Sequence, residues 1–171
     1  MENTIIDSNF LIYFKNKSST NWEKHNFLLN KLSKILYTKL IELGSYYKNI
    51  LLLSSDSGEA LNDILGINFK NIIFLSPYKK LLEKVKDKEN ILKVESHFEN
   101  IPCKNDKFDL VISNLYLHNV NKKKNHLKKL FYLLNPDGLL ICNFFGEKTL
   151  YELKNSLFAT DEQIFNGVFM R

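Results

Sequence analysis

Apolar residues follow two rhythms along this chain. From Phe27 through Leu28, Leu32, Ile35, Leu36 and Leu40 to Leu43 they recur at the three-and-four spacing of a helical face. Thr20-Asn21-Trp22-Glu23 ahead of them has the form of a capping box, and Gly44 behind them offers a C-terminal stop, so an amphipathic helix is predicted between the two. Beyond Gly44 the rhythm changes to short, continuously apolar runs, which predict strands over 49–53, 71–75, 91–94, 108–113 and 139–144. Helices are predicted over 59–65, from Pro77 to about Lys86, over 125–134 and over 149–158, with Asn135-Pro136-Asp137-Gly138 as the turn into the fifth strand. Runs such as Ile50-Leu51-Leu52-Leu53 suit strands covered on both faces. The expected fold is α/β: a doubly wound sheet of five mainly parallel strands in the order 3-2-1-4-5, with helices on both faces. In such a sheet the turns after the strands, at Ser54 to Gly58, Ser76-Pro77, Ser96-His97 and Ser113-Asn114, line one crevice.

The 171 residues suffice for one core, divided here into a helical segment over 1–48 and the sheet domain over 49–171, one structural domain overall. No apolar run reaches the roughly 18 residues of a membrane span, and the N-terminus lacks a basic leader, so a cytoplasmic location is expected. Cys103 and Cys142 are far apart, with no histidine at metal spacing, so neither a disulfide nor a metal is expected. The net charge of +5 raises the question of a nucleic-acid partner. Every basic residue except Arg171 is a lysine, however, in the Asn- and Ile-rich company of an AT-rich genome, and the run Lys122-Lys123-Lys124 sits at a predicted helix start. Without arginine forks or interleaved aromatics, solvated surface is the expected role, and steep salt-dependent binding to any duplex would be the sign of the weaker alternative.

The segments Phe108-Asp109-Leu110-Val111-Ile112-Ser113-Asn114-Leu115-Tyr116-Leu117-His118-Asn119-Val120, Leu133-Leu134-Asn135-Pro136-Asp137-Gly138 and Thr149-Leu150-Tyr151-Glu152-Leu153 carry a family likeness. With them the chain resembles class I S-adenosylmethionine-dependent methyltransferases of the Rossmann-like fold. Within these it is similar to the branch that holds the biotin-pathway malonyl-acyl-carrier-protein methyltransferase and the mitochondrial complex I assembly factor of the arginine-hydroxylase type. The resemblance implies S-adenosyl-L-methionine as cofactor and a small-molecule, acyl-carrier or protein acceptor. It also implies later strands that this chain lacks, which leaves the fifth strand as an open apolar edge for a protein partner unless the last residues fold over it.

The family's first strand ends in a motif like Asp-x-Gly-Cys-Gly-x-Gly, whose glycines let the backbone approach the cofactor. On that alignment the acidic position is Leu52, the glycine positions are Ser54 and Asp56, and only Gly58 is kept. The acidic residue that grips the ribose falls at Ser76, and the one near the adenine at His97 or, with a two-residue slip, at Glu95. The resemblance thus assigns Ser54, Asp56, Gly58, Ser76, His97 and Asn114 to the cofactor site. His118 either acts as a base on the substrate side or packs at a helix start. Serine for aspartate at the ribose costs about 1–2 kcal/mol and the Asp56 charge near a bound carboxylate about 1–4, which turns a micromolar ligand into a millimolar one. Two functions stay open: methyl transfer to an unidentified acceptor, or a non-catalytic assembly or scaffold protein, or gene fragment, that no longer binds the cofactor.

Overall fold

Strand β1, Tyr46–Ser54, is fully buried from Ile50 to Ser54, and everything else is arranged around it. In the computed structural model, which describes residues 6–44, 46–146, 148–149 and 151–158 (without the side chains of 153, 154, 157 and 158), β1 pairs in parallel with β2, Asn68–Ser76, on one side and β4, Phe108–Asn114, on the other. Strand β3, Ile91–Glu95, lies outside β2, and β5, Leu134–Asn143, lies outside β4. The order is therefore β3-β2-β1-β4-β5 with all four pairs parallel, as the apolar runs predicted.

Because side chains alternate along a strand, the run Ile50 to Leu53 serves two cores at once. Ile50 and Leu52 join Ile72, Phe74, Leu110 and Ile112 on one face, under helices α2, Phe27–Leu43, and α3, Glu59–Ile64. Leu51 and Leu53 join Leu75 and Val111 on the other, under Leu130 and Leu133 of helix α5, Lys123–Leu133.

Several elements depart from expectation. A helix α1, Ser8–Ser18, precedes the predicted first helix, its N-terminus capped by Asp7, which accepts from Phe10 N at 3.0 Å. The capping-box residues Thr20 to Glu23 do not open a helix but lie in a 3-10 segment, Ser19–Lys24. Trp22 is drawn down from that segment so that its indole donates to Glu59, and the chain breaks before α2 begins. The face α2 buries is Ser33, Leu36 and Leu40; Phe27, Ile35 and Leu43 stay exposed. Helix α4 is only Lys79–Leu82, since the next turn tightens through Lys84 N to Leu81 O (3.2 Å) and Val85 N to Leu82 O (3.1 Å). The turn Asn135 to Gly138 lies inside β5 as a bulge, with Asp137 at φ 64 and the register jumping from Phe108↔Leu134 to Leu110↔Leu139. Asp109 fastens this bulge by accepting from Asn135 Nδ2 (2.8 Å) and Asn49 N (2.8 Å). The last helix, α6, is Tyr151–Phe158, and folding of the final residues over the β5 edge concerns a segment outside the described residues.

Candidate functional site

The carboxyl ends of β1, β4 and β5 meet in a buried polar knot. At its centre Asp56, fully buried, accepts from Ser54 Oγ (2.7 Å), Asn114 Nδ2 (2.9 Å), Gly58 N (2.9 Å) and Ala60 N (3.3 Å). Asn114 Nδ2 also donates to Ser54 Oγ (3.1 Å), and its carbonyl accepts from Asn143 Nδ2 (2.7 Å), so the amide is satisfied at both ends. The turn requires a left-handed residue, and Gly58 supplies it at φ 100, just before α3. Asp56 itself is not left-handed. Burial, with the nearby Glu59 carboxylate, pushes the Asp56 carboxyl up to about 6, while the donors from Ser54, Gly58 and Ala60 pull it back.

Glu59 is the second anchor. Its carboxylate accepts from Trp22 Nε1 (2.7 Å), Asn26 Nδ2 (2.6 Å), Ser57 N (2.7 Å) and Ser57 Oγ (2.9 Å), and so holds the N-terminal segment over the strand tips. Two other ties hold that segment. Ile6 and Asn121 exchange bonds at 2.9 and 3.0 Å, and Asn16 accepts from Lys80 N at 3.1 Å.

A row of rings fills the hollow at the tips of β2, β3 and β4. Tyr78, Phe98 and Tyr116 are at most 1% exposed and meet edge to face, with centroids 5.7 and 5.0 Å apart, and His126 stacks on Tyr116 at 5.8 Å.

Open space lies beside this packing. A cavity of about 330 Å³ lies between the N-terminal segment and the tips of β1 and β4. Lys15, Trp22, Leu28, Leu29, Leu115 and His118 line most of it. Lys15 Nζ stands 4.4 Å over the Trp22 ring. Burial lowers the Lys15 pKa, opposed by the fields of Asp56 and Glu59. Burial, with Lys15 and Lys123 nearby, lowers His118 to about 4, and its buried Nδ1 has no hydrogen-bond partner among the described residues. Leu115 has φ 47, rare for a branched apolar residue, and is held there by its N–H, which meets both the backbone oxygen (3.2 Å) and Oδ1 (2.7 Å) of Asn143.

Of the residues singled out from sequence, Ser54, Asp56, Gly58 and Asn114 form the knot. Ser76 is buried at the tip of β2, where its hydroxyl accepts from Tyr78 N at 3.3 Å. His97 is exposed just past the end of β3. Alternation after β3 turns Glu95 and His97 outward and Phe98 inward, so the ring of Phe98, not the imidazole, reaches the hollow. His118 lies in a short 3-10 turn, Leu117–Asn119, facing the cavity and 5.1 Å from the ring of Phe145. Lys15, Glu59, Tyr78, Phe98 and Asn143 escaped the sequence reading, although Glu59 beside Gly58 was the one with a signal: an acidic residue opening a helix at a nucleotide-type turn.

A family model described as a methyltransferase domain matches residues 55–142, just over half of the chain. The chain belongs to the methyltransferase-domain family. This methyltransferase-fold chain is 30% identical over 182 positions to the mitochondrial arginine-hydroxylase NDUFAF5 of Dictyostelium discoideum, an alignment covering 92% of this chain and 41% of the relative. It is 31% identical over 121 positions to malonyl-[acyl-carrier protein] O-methyltransferase 2 of Ilyobacter polytropus, covering 68% and 46%. The chain thus spans less than half the length of these curated relatives. Among solved structures it superimposes on a chain of the complex between the Haloferax volcanii Trm112 methyltransferase activator and a methyltransferase, with TM-score 0.66, 14% identity and coverage of 86% and 68%. The complex of DhpI with SAM and HEP gives TM-score 0.64, 13% identity and coverage of 91% and 74%. At such identities the likeness is one of fold, and it bears out the Rossmann-like arrangement.

The residues at the strand tips do not fit S-adenosylmethionine. Asp56 places a fully buried carboxylate where the family motif has glycine, and its oxygens are engaged by four donors. Ser76 offers a hydroxyl already bonded to Tyr78 N in place of the ribose-binding acid, and the rings of Tyr78 and Phe98 fill the neighbouring space.

Proposed function

We propose that this methyltransferase-fold protein acts by binding, as an assembly or scaffold component, with its cofactor crevice sealed by its own side chains. One observation carries the reading: the carboxylate of Asp56 sits at the glycine position of the turn, buried and accepting four hydrogen bonds. Admitting a ligand there would mean breaking this knot and moving packed rings, which costs several kcal/mol before any contact is gained. Two surfaces among the described residues suit this reading. One is the cavity beneath the N-terminal segment; the other is the edge of β5 with Phe144, 58% exposed, just past its end, a place for a protein partner.

A second reading, methyl transfer from S-adenosylmethionine to a small-molecule, acyl-carrier or protein acceptor, is supported by family membership and by the cavity that reaches Ser55 and His118 at the strand tips. Isothermal titration with S-adenosylmethionine separates the two. The binding reading expects no saturable heat up to about 1 mM, whereas a Kd below about 50 μM would overturn it in favour of the enzyme.

A further inference from the structure

The cavity has an unusual charge pattern. Among the described residues no carboxylate lines it, yet it contains the ammonium of Lys15, half-buried over the Trp22 ring. Among the described residues no carboxylate oxygen pairs with that ammonium; the three ion pairs lie elsewhere. The two nearby acids are already committed, Asp56 to the knot and Glu59 to Trp22, Asn26 and Ser57. The fields of both reach Lys15, but neither forms a direct ion pair with it among the described residues, and a partly desolvated ammonium gains from an anion that does. His118 adds a second polar group on the same wall, its Nδ1 buried and without a hydrogen-bond partner among the described residues. Leu28, Leu29, Leu115 and Phe145 give the wall its apolar part, and Ser18, Asn21, His25 and Ser55 are its further polar groups.

From this combination we infer that the cavity binds a singly charged organic acid, its acid group on Lys15 and His118 and its compact apolar body against Leu28, Leu29, Leu115 and Phe145. One cation calls for one negative charge, the volume of about 330 Å³ is at the small end of ligand sites, and the imidazole, neutral at pH 7, donates or accepts without adding charge. The same geometry disfavours a guanidinium or ammonium, which would stand beside Lys15 with no carboxylate among the described lining residues to meet it. The cavity therefore differs in charge preference from a site for arginine, the residue that gives the Dictyostelium relative its name.

The inference rests on the cavity being the open site, and its test reads that site alone. Trp22 is the single tryptophan of the chain and lines the cavity, so its emission reports binding directly. The full chain at pH 7 is titrated with hexanoate, hexanamide and hexylamine. Hexanoate changes the emission saturably, at least about tenfold tighter than hexanamide, and hexylamine has no effect. Lys15→Gln brings hexanoate down to the level of hexanamide, Lys15→Arg retains the preference, and Lys17→Gln on the exposed side of α1 leaves it unchanged, with circular dichroism melts showing each variant folded. Hexylamine binding as tightly as hexanoate, or a preference that survives Lys15→Gln, overturns the inference. So does the lack of any saturable change up to about 20 mM, a range in which even a weak ligand saturates. S-adenosylmethionine binding by calorimetry with hexanoate still discriminated would overturn the sealed-crevice reading alone.

Discussion

Replacing Asp56 by asparagine tests the buried knot through its proton. The Asp56 carboxyl moves from its ordinary 3.8 to about 6 in the fold, chiefly because burial penalises its charge. The native state therefore holds this proton more tightly than the unfolded chain. The stability it contributes is fully present below 3.8 and is lost as pH rises through 6. At about 1.4 kcal/mol per pH unit the gap corresponds to about 3 kcal/mol, a large share of the 5–15 kcal/mol that holds a typical domain. His118 and His126 act in the opposite sense over nearly the same range. Burial lowers both to about 4, so their contribution is present above 6.5 and lost as pH falls through 4. The raw profile of the protein mixes these slopes, but the difference between protein and variant does not, because both carry the histidines. Urea unfolding, followed by Trp22 emission and far-ultraviolet dichroism at several pH values from 3.5 to 7.5, gives that difference. Asp56→Asn gains about 2–3 kcal/mol relative to the parent protein from the acid end of the range to the neutral end. A difference that stays flat within about 0.5 kcal/mol would show that the carboxyl is solvated or paired in a way this structure does not have.

Two further substitutions probe how the strand tips are covered. Trp22→Phe removes the indole donor to Glu59 and costs about 1.5–3 kcal/mol, and limited proteolysis shows earlier cutting between α1 and α2; unchanged melting and cleavage would refute the anchoring role. Gly58→Ala forces a Cβ onto a residue at φ 100 and within 3.2 Å of Val85 Cγ2, at a cost of about 1–2 kcal/mol; a melting temperature equal to the parent's would contradict the geometry.

The sheet was legible because four-residue apolar runs admit little but strands buried on both faces, and Ile50 to Leu53 indeed feeds two cores. The N-terminal segment was less legible. Helix α1 leaves Phe10, Tyr13 and Phe14 exposed, so it lacks the one-sided pattern that announces a helix, and the capping-box spelling at Thr20 yields to a tertiary bond from Trp22 to Glu59. The knot was half legible. Ser54, Asp56, Gly58 and Asn114 were read from alignment to a motif, but nothing local told that Asp56 would turn inward, a choice set by Asn114 sixty residues away from Ser54 and by Asn143 beyond it. The outward turn of His97 follows from simple alternation, yet the family position carried more weight than the pleat. Lys15 gave no sign, since its solitude depends on how every neighbouring acid is used.

The left-handed Leu115 makes one mechanical unit of two distant-seeming places. Its side chain is a wall of the cavity, while its amide is clamped by the outermost strand through Asn143. Whatever docks along that rim and shifts Asn143 releases a cramped backbone and reshapes the chamber behind it, and whatever enters the chamber pushes back on the rim. Events at the border of the sheet and events in its interior hollow should accordingly be felt by each other.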